Sequence, residues 1–343
     1  MTTIRKAVVT AYGGPETVKI VTDTLPDPGS HEVQIRVLYA GMGGSDMAMR
    51  NGVYPRQKVA PLTLGYCCVG RVNKNGRGSK KFQPGDLVAC LTVYDAQADL
   101  TNQPEKYVMP LPEGIDLQQA VGLVLDWNVG YALAYHAASI EPGQRVFIHG
   151  LSGACGFACF TFCKMQGADV YGTASEANHA ALREAGATPF VYTDKKWIEE
   201  MKKVGKAHVV FDPLGFESYD DSWQILAGKK GGKHGGHLIG FGGNYNALKG
   251  GKPRSQTAEI AKLLAKGLVP FCPYKTSFYY IDRDQKEFEP DLKTLIGLLQ
   301  KGTIRVPIRQ VWTLDEVPEG HRNWNKGPGV GSVIVKVADD AGR

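Results

Sequence analysis

The sequence lacks the features that would anchor or export the chain. No run of 18 apolar residues occurs, and the most apolar stretch, around Ala120 to Leu125, is interrupted by Asp126, which argues against a helical membrane span. The start, Met1 to Val9, has no apolar core of a secretory signal. The seven cysteines include no CxxC pair, which is typical of reduced thiols. We therefore expect a cytoplasmic protein.

Acidic residues are missing from one long segment. Between Ser222 and Ala258 there is no Asp or Glu, although the whole chain has 34 acidic and 40 basic residues and a net charge of +6. Six basic residues lie in the segment, enough to account for the whole surplus: Lys229, Lys230, Lys233, Lys249, Lys252 and Arg254. Such a segment either binds phosphate or nucleic acid, or forms solvated loops beside a strand. We favour solvated loops and do not expect a nucleic-acid partner.

Length and composition indicate a folded protein of two domains. The chain has 343 residues, which corresponds to two domains at roughly 100–200 residues a domain. Hydrophobic residues make up 43% and charged residues 22%, as is ordinary for a folded protein. Glycine is in excess, with 42 residues where an average usage of roughly 7% gives about 24. The excess predicts close backbone approach or unusual backbone angles at many points.

The hydrophobic pattern changes along the chain. Short strands separated by Gly, Pro, Asn and Asp fill the first hundred residues, and a helical stretch runs from Leu117 to about Ala138. Apolar strands and helices then alternate from Val146 to Phe241, which predicts an α/β domain with a parallel sheet covered by helices. The last strand, Ser332 to Val337, is expected to return to the first, β-rich domain.

A glycine-rich turn follows the first strand of the alternating region. The strand Val146–Ile148 runs into His149 and then Gly150, Leu151, Ser152, Gly153, Ala154, Cys155 and Gly156, before an apolar helix. Three glycines spaced by three in this context are typical of a dinucleotide site, with the pyrophosphate at the helix N-terminus. The expected cofactor-binding residues of the turn are Gly150, Ser152, Gly153, Ala154, Cys155 and Gly156.

Four segments together resemble the medium-chain dehydrogenase/reductase superfamily: Val146–Gly156, Ala11–Glu16, Gly85–Ala89 and Phe211–Gly215. The most similar branch is that of the quinone oxidoreductases, to which zeta-crystallin belongs, and the resemblance extends from about residue 6 to residue 337. It implies a GroES-like catalytic domain built from residues 1–122 and 268–343, and a Rossmann-type dinucleotide-binding domain over residues 123–267. Relatives are commonly dimers, which leaves a homodimer open.

The zinc ligands of alcohol dehydrogenases in this superfamily are absent from the matching positions. Gly43 stands where those relatives have a cysteine, and Gly65-Tyr66-Cys67 stands where they have Gly-His-Glu. The four-cysteine loop of a structural zinc site is missing as well. We therefore expect no metal. Cys67 and Cys68, and the helical series Cys155, Cys159 and Cys163, are expected to pack as small hydrophobic side chains.

The end of the second strand favours NADPH over NADH. An NAD site usually has Asp or Glu at that point to bind the ribose hydroxyls, whereas this chain has Ala174 followed by Ser175. His179 stands where the family often has lysine, and Tyr192 matches a tyrosine near the adenosine of relatives; Glu176 argues the other way. Gly240, Phe241 and Gly242 end a later strand, where they are expected close to the nicotinamide.

The resemblance implies hydride transfer from NADPH to an α,β-unsaturated carbonyl or a quinone, a small, flat, apolar and conjugated substrate. Asp46, Tyr54 and Tyr66 are the candidate catalytic residues, although Asp46 is equally suited to capping a helix. The expected pocket residues, each equally suited to an ordinary core, are Gly43, Trp127, Phe278, Tyr279 and Tyr280.

Two departures from the quinone reductases keep other functions open. Relatives have Asn at Gly43 and Thr at Val129. One alternative is a pathway-specific isomerase or cyclase on the same fold. The other is a non-catalytic NADPH-binding scaffold, or an RNA-binding protein that uses the Ser222 to Ala258 segment.

Overall fold

The computed structural model describes residues 1–228, 235–243, 245 and 251–340. Its strands are β1 Thr2–Val9, β2 Val18–Leu25, β3 Glu32–Met42, β4 Leu62–Thr63, β5 Cys68–Asn75, β6 Leu87–Cys90, β7 Leu100–Pro104, β8 Val108–Pro110, β9 Arg145–Ile148, β10 Asp169–Ala174, β11 Thr188–Val191, β12 Val209–Asp212, β13 His237–Gly240, β14 Lys275–Phe278, β15 Ile308–Thr313 and β16 Ser332–Lys336. The α-helices are α1 Gly44–Arg50, α2 Leu117–Gly122, α3 Asn128–Ala132, α4 Ala154–Met165, α5 His179–Glu184, α6 Trp197–Lys203, α7 Glu217–Gln224, α8 Thr257–Leu268, α9 Phe288–Gln300 and α10 Val317–Asn323.

The described residues form two compact units. The terminal unit comprises Met1–Asn128, Asp282–Gly327 and the residues from Ser332 onward, and the central unit comprises Val129–Ile281 with Pro328–Gly331. Within the described parts of the chain, no helix is long and apolar enough to cross a bilayer.

The terminal unit is built on two sheets, in which every strand pair is antiparallel except the parallel pair of β15 and β16. β1 pairs with β2 along its whole length and with β4 at its end. A second sheet has the order β15-β16-β3-β5-β6-β8, with β7 also paired to β3. Because β16 pairs antiparallel with β3, the end of the chain completes the sheet that the first residues begin. This confirms the predicted β-rich domain formed by both chain ends.

The central unit contains a parallel sheet of order β11-β10-β9-β12-β13-β14. Numbered within this unit, the order is 3-2-1-4-5-6, which is the arrangement of a doubly wound dinucleotide-binding fold. Its core includes the fully buried Phe147, Val210 and Leu238, one from each of three neighbouring strands. The predicted Rossmann-type α/β class is confirmed. The strand order reverses between β9 and β12, where such folds bind their ligands.

The structure divides the chain at other residues than the sequence pattern suggested. β14 follows the expected boundary at 267, yet it pairs in parallel with β13, Gly240 opposite Phe278, so the central unit extends to Ile281. The segment Pro328–Gly331 also belongs to this unit, because the Gly331 N–H donates to the Ser152 carbonyl at 3.0 Å. The four residues of β14 are too few for their hydrophobic pattern to assign them to a domain. Their pairing with β13 makes that assignment.

Four of the five cysteines predicted to pack as small hydrophobic side chains are buried, whereas Cys155 is partly exposed. Cys67, Cys68, Cys159 and Cys163 are at most 1% exposed, and the sulfur atoms of Cys159 and Cys163 lie 4.0 Å apart on the buried face of α4. All seven cysteines are free thiols.

Candidate active site

The glycine turn after β9 forms the geometry of a phosphate-binding loop. Gly150 adopts φ +67°, a left-handed conformation that glycine tolerates best. Gly153 is the N-cap residue of α4, and no side chain caps that helix, so the N–H groups of its first turn point at the space where a pyrophosphate would lie. A Cβ atom at Gly156 would collide with the Gly150 carbonyl. The local backbone therefore requires glycine at positions 150 and 156.

A series of hydrogen-bonded buried polar groups supports this turn, and the sequence pattern did not predict it. The Gly150 N–H donates to Thr173 Oγ1 at 3.3 Å, and Thr173 Oγ1 lies 3.2 Å from His149 Nδ1. His149 Nε2 lies 2.9 Å from Ser222 Oγ, and Ser222 donates to Asp212 Oδ2 at 2.8 Å.

The direction of each hydrogen bond in this series follows from the carboxylate of Asp212 at its end. Because the carboxylate of Asp212 can only accept, Ser222 donates to it and accepts from His149 Nε2–H. His149 Nδ1 then accepts from Thr173. Both ring nitrogens are thus used by a neutral imidazole. Burial lowers the pKa of His149, although the charge of the nearby Asp212 acts to raise it. The series connects the turn after β9 to the end of β12.

The loops after β12 and β13 approach each other closely. The Asp212 Oδ1 atom accepts the N–H groups of Leu214 at 2.8 Å and Gly215 at 3.1 Å, which fixes the turn after β12. A Cβ atom at Gly242 would lie 2.7 Å from the Pro213 carbonyl oxygen, and one at Gly240 would collide with the Tyr219 hydroxyl. Both glycines are required by contacts within the protein. Phe241, between them, is partly exposed at the carboxyl edge of the sheet.

The adenosine end of the predicted site centres on a residue that the sequence did not single out. Asn178 Nδ2 lies 3.0 Å from Ser152 Oγ and 3.1 Å from Ser175 Oγ. The side chains of Ser152 and Ser175 are both partly exposed. An asparagine three residues after the serine that follows β10 was the available signal, although it did not reveal which way the side chain points.

The other two predicted adenosine residues differ in exposure. His179 is 6% exposed, and its Nε2 atom lies 3.4 Å from the Ala174 carbonyl oxygen, so the imidazole faces the backbone. Tyr192 is 47% exposed.

In the terminal unit, Asp46 lies in the first turn of α1 and is 1% exposed. Its Oδ2 accepts the Gly43 N–H at 2.9 Å and its Oδ1 accepts the Gly65 N–H at 3.0 Å, so it does cap the helix. Burial raises the pKa of Asp46 to about 6, and the charge of Asp126 acts in the same direction, while the two backbone donors oppose the rise.

The two candidate tyrosines form a pair. The hydroxyl oxygens of Tyr54 and Tyr66 lie 2.6 Å apart, and their rings meet edge to face with centroids 5.8 Å apart. Tyr66 is 2% exposed, whereas Tyr54 is only partly buried. In such a pair one hydroxyl donates to the other, which makes the accepting tyrosine the stronger proton donor toward a third group.

Two more of the predicted pocket residues, Trp127 and Gly43, lie in the terminal unit and differ in how closely they are packed. Trp127 is 1% exposed and belongs to the core of the terminal unit. At Gly43 an added Cβ atom would meet only Ser45 Oγ, at 4.0 Å, so no steric contact demands glycine there.

The aromatic run of the central unit lies at the end of β14. Phe278 packs against the core of that unit, and Tyr280 is 42% exposed. The Tyr279 N–H donates to the Gly240 carbonyl at 2.8 Å.

The donor atoms present do not fit a catalytic zinc ion. Gly43 offers no side-chain donor, and the hydroxyl of Tyr66 is hydrogen-bonded to Tyr54. The Cys67 thiol donates to the Val121 carbonyl at 3.7 Å, and burial raises its pKa well above the usual range, whereas zinc binds the thiolate. In the described ranges no three His, Cys, Asp or Glu side chains group together as ligands for a metal ion.

Most of the basic segment lies outside the described residues, namely Lys229, Lys230, Lys233 and Lys249. Arg254, which is described, forms a double hydrogen bond with Glu217 at 2.9 and 2.7 Å.

Comparison with known proteins gives matches over almost the whole chain. A family described as "Alcohol dehydrogenase GroES-like domain" matches residues 29–113, and one described as "Zinc-binding dehydrogenase" matches residues 185–335. The chain is 26% identical to the synaptic vesicle membrane protein VAT-1 homolog of Danio rerio, over 97% of this chain and 70% of that protein. It is also 26% identical to the quinone oxidoreductase of Pongo abelii, over 97% of each.

The fold comparison agrees with these matches. The crystal structure of Escherichia coli quinone oxidoreductase complexed with NADPH is similar, with a TM-score of 0.83 and 23% identity over 97% of this chain and 100% of that one. These matches confirm the predicted resemblance to the medium-chain dehydrogenase/reductase superfamily of oxidoreductases, in its quinone oxidoreductase branch.

Proposed function

We propose that the protein is an NADPH-dependent reductase that transfers hydride to an α,β-unsaturated carbonyl or a quinone without a metal ion. The observation that carries the proposal is the turn after β9, in which Gly150 is left-handed and Gly156 packs on the Gly150 carbonyl below the uncapped N-terminus of α4. This is a backbone shape that a pyrophosphate fills. The similar E. coli quinone oxidoreductase was crystallised with NADPH.

The residues of the central unit fit this cofactor. The first turn of α4 would hold the pyrophosphate, and Ser152 and Ser175 would bind the phosphorylated adenosine ribose, since Ala174 offers no carboxylate to repel it. When bound, NADPH supplies a hydride. Substrate identity then depends on which groups of the terminal unit bind the carbonyl and deliver a proton.

The Tyr54–Tyr66 pair is our candidate for that proton. After hydride reaches the β-carbon of an enone, the substrate carries an enolate, and a proton must be added at the α-carbon or the oxygen. Tyr54 is the more exposed of the pair and donates this proton while Tyr66 donates its own hydrogen bond to the resulting tyrosinate. Water then returns the proton. Replacing one donor is expected to slow turnover about 10²- to 10⁴-fold.

The first experiment measures NADPH oxidation by the purified full-length chain with a panel of enones and quinones. NADPH binding without oxidation of any panel member would refute the reductase and leave the scaffold and the isomerase or cyclase as alternatives. Tyr54→Phe should lower kcat and spare the affinity for NADPH. Tyr12→Phe, which removes an exposed hydroxyl that donates to the Lys58 carbonyl at 3.1 Å, is the matched control and should retain full kcat.

A second candidate is an isomerase or cyclase that works by proton transfer alone. The observation that favours it is Asp46, whose pKa of about 6 suits a general base near neutral pH, beside Gly43 without a polar side chain. Turnover that continues after NADPH is removed would identify it. RNA binding, which we do not expect, is the remaining alternative, and a salt-dependent gel shift with Lys229, Lys230 and Lys233 replaced together tests it.

We place the enzyme in a reducing cytoplasm, as its seven free cysteines suggest. A homodimer remains the expected assembly, and light scattering of the purified protein measures it.

A further inference from the structure

Asn178 holds a fixed orientation between three backbone segments of the central unit. Its side chain is 4% exposed, and its Oδ1 atom accepts the Gly329 N–H at 2.8 Å. An amide N–H can only donate, so the atom that faces Gly329 must be the oxygen. The Nδ2 group therefore points the other way, toward Ser152 and Ser175.

The two hydrogens of Nδ2 fix the polarity of both serines. One hydrogen is directed at Ser152 Oγ, 3.0 Å away, and the other at Ser175 Oγ, 3.1 Å away. Each serine oxygen is thus an acceptor toward Asn178, which leaves its own hydrogen to donate elsewhere. Within the described parts of the chain neither hydroxyl donates a hydrogen bond, and both side chains are partly exposed.

The position of these hydroxyls assigns their ligand. Ser152 belongs to the pyrophosphate turn, and Ser175 directly follows β10, the second strand of the fold, where the adenosine ribose of a dinucleotide binds. The Ser152 and Ser175 hydroxyls both accept from the Asn178 amide nitrogen and can both donate outward. Such a pair suits a ligand group that only accepts hydrogen bonds. A phosphate on the ribose 2′ position is such a group, whereas a 2′-hydroxyl both donates and accepts and would bind either polarity equally well.

We propose that Asn178 is a specificity-determining residue, which holds Ser152 and Ser175 as donors and thereby selects the 2′-phosphate of NADPH over the 2′-hydroxyl of NADH. This inference rests on the proposed NADPH-dependent function. Asn178 acts through the serines and is a positioning residue. The loop Pro328–Gly331 takes part, because Gly329 fixes which end of the amide faces the serines.

Asn178→Asp is the sharpest test, because it retains the shape of the side chain and the bond from Gly329. Its carboxylate accepts from both serines, which turns their hydrogens inward and presents lone pairs and a negative charge to the ligand. Asn178→Ala removes the donors without adding charge. Ligand-free melting temperatures show that each variant is folded.

Isothermal titration of the full chain measures binding of NADPH, NADH and 2′,5′-ADP, which has the 2′-phosphate but no nicotinamide. We expect Asn178→Asp to weaken NADPH and 2′,5′-ADP about 100-fold and NADH less than 3-fold, since charge-assisted hydrogen bonds are lost only with the phosphate. Asn178→Ala should weaken the two phosphate ligands about 10-fold, and should have a smaller effect when Ser175→Ala is already present, because it acts through that hydroxyl.

The outcomes separate the inference from the proposed function. Equal weakening of NADPH and NADH, or no change in either, overturns the role of Asn178 and leaves the reductase proposal intact. A wild-type preference for NADH overturns both the role of Asn178 and the NADPH dependence of the proposed function, and leaves only the hydride transfer to be tested by NADH oxidation. A wild-type protein that binds neither dinucleotide overturns both.

Discussion

Asp46 makes the stability of the folded protein depend on pH in a direction that can be worked out from its burial. Its pKa is about 6 in the folded chain, against 3.8 for an exposed aspartate. A folded pKa above the unfolded one means that the folded state holds the proton more tightly. The stabilising contribution is therefore complete below pH 3.8 and is lost as the pH rises through about 6.

The magnitude follows from the size of the shift. Roughly two pH units at 1.36 kcal/mol each give about 3 kcal/mol. Asn cannot ionise, so Asp46→Asn removes the pH-dependent part. It also turns an NH₂ group toward one of the two backbone donors, which lowers stability by a constant amount at every pH. The difference in unfolding free energy, wild type minus variant, should fall by about 2.5 kcal/mol between pH 4 and pH 8, because part of the contribution is already lost at pH 4.

The assay is urea denaturation of both proteins across that pH range, with the same transition followed in each. Asp23→Asn is the control, because the Lys6 ammonium 2.7 Å away lowers the pKa of that exposed carboxyl, so its difference curve should rise with pH. A flat difference curve for Asp46→Asn would refute the reasoning. It would mean that the N–H groups of Gly43 and Gly65 outweigh burial and keep Asp46 ionised.

Three further predictions concern the central unit. Gly156→Ala should weaken NADPH binding at least tenfold in a fluorescence titration, because its Cβ atom collides with the Gly150 carbonyl and must displace the turn. His149 should show the Nε2–H tautomer in ¹⁵N NMR spectra and should titrate at a lower pH than an ordinary histidine, because burial lowers its pKa and both ring nitrogens are used by the neutral form; a signal that titrates near the ordinary value of 6.5 would contradict this. Asp212→Asn should lower the unfolding free energy by about 2–4 kcal/mol in chemical denaturation, because four donors converge on the carboxylate and an amide can accept from only one side; a loss below about 0.5 kcal/mol would show that the network adapts.

Much of the cofactor site could be predicted because it is local in the sequence. A strand, three glycines at fixed spacing and a helix specify a phosphate turn within a dozen residues, and Gly150 and Gly156 have the conformation and the contact that the spacing requires. The lack of zinc ligands was equally clear from the sequence, since no packing can supply the donor atom that Gly43 does not have.

The same reasoning was only partly successful for the glycines at and just after the end of β13. Close backbone approach was expected at Gly240 and Gly242, and it occurs, but the neighbours are Tyr219 and Pro213 of the same unit. Trp127 is a core residue, and His179 faces the Ala174 carbonyl. Burial depends on which surfaces pack together, and residue type alone does not determine it.

The sequence by itself determined the fold class, the phosphate turn and the missing metal ligands, because these depend on short-range pattern and on which atoms exist. The tertiary structure decided the rest: the pairing of β14, the contact between the Tyr54 and Tyr66 hydroxyls, and the bond from Gly329 to Asn178 across 151 residues of chain. Those contacts join residues far apart in sequence, so their geometry exists only once the strands and loops have packed.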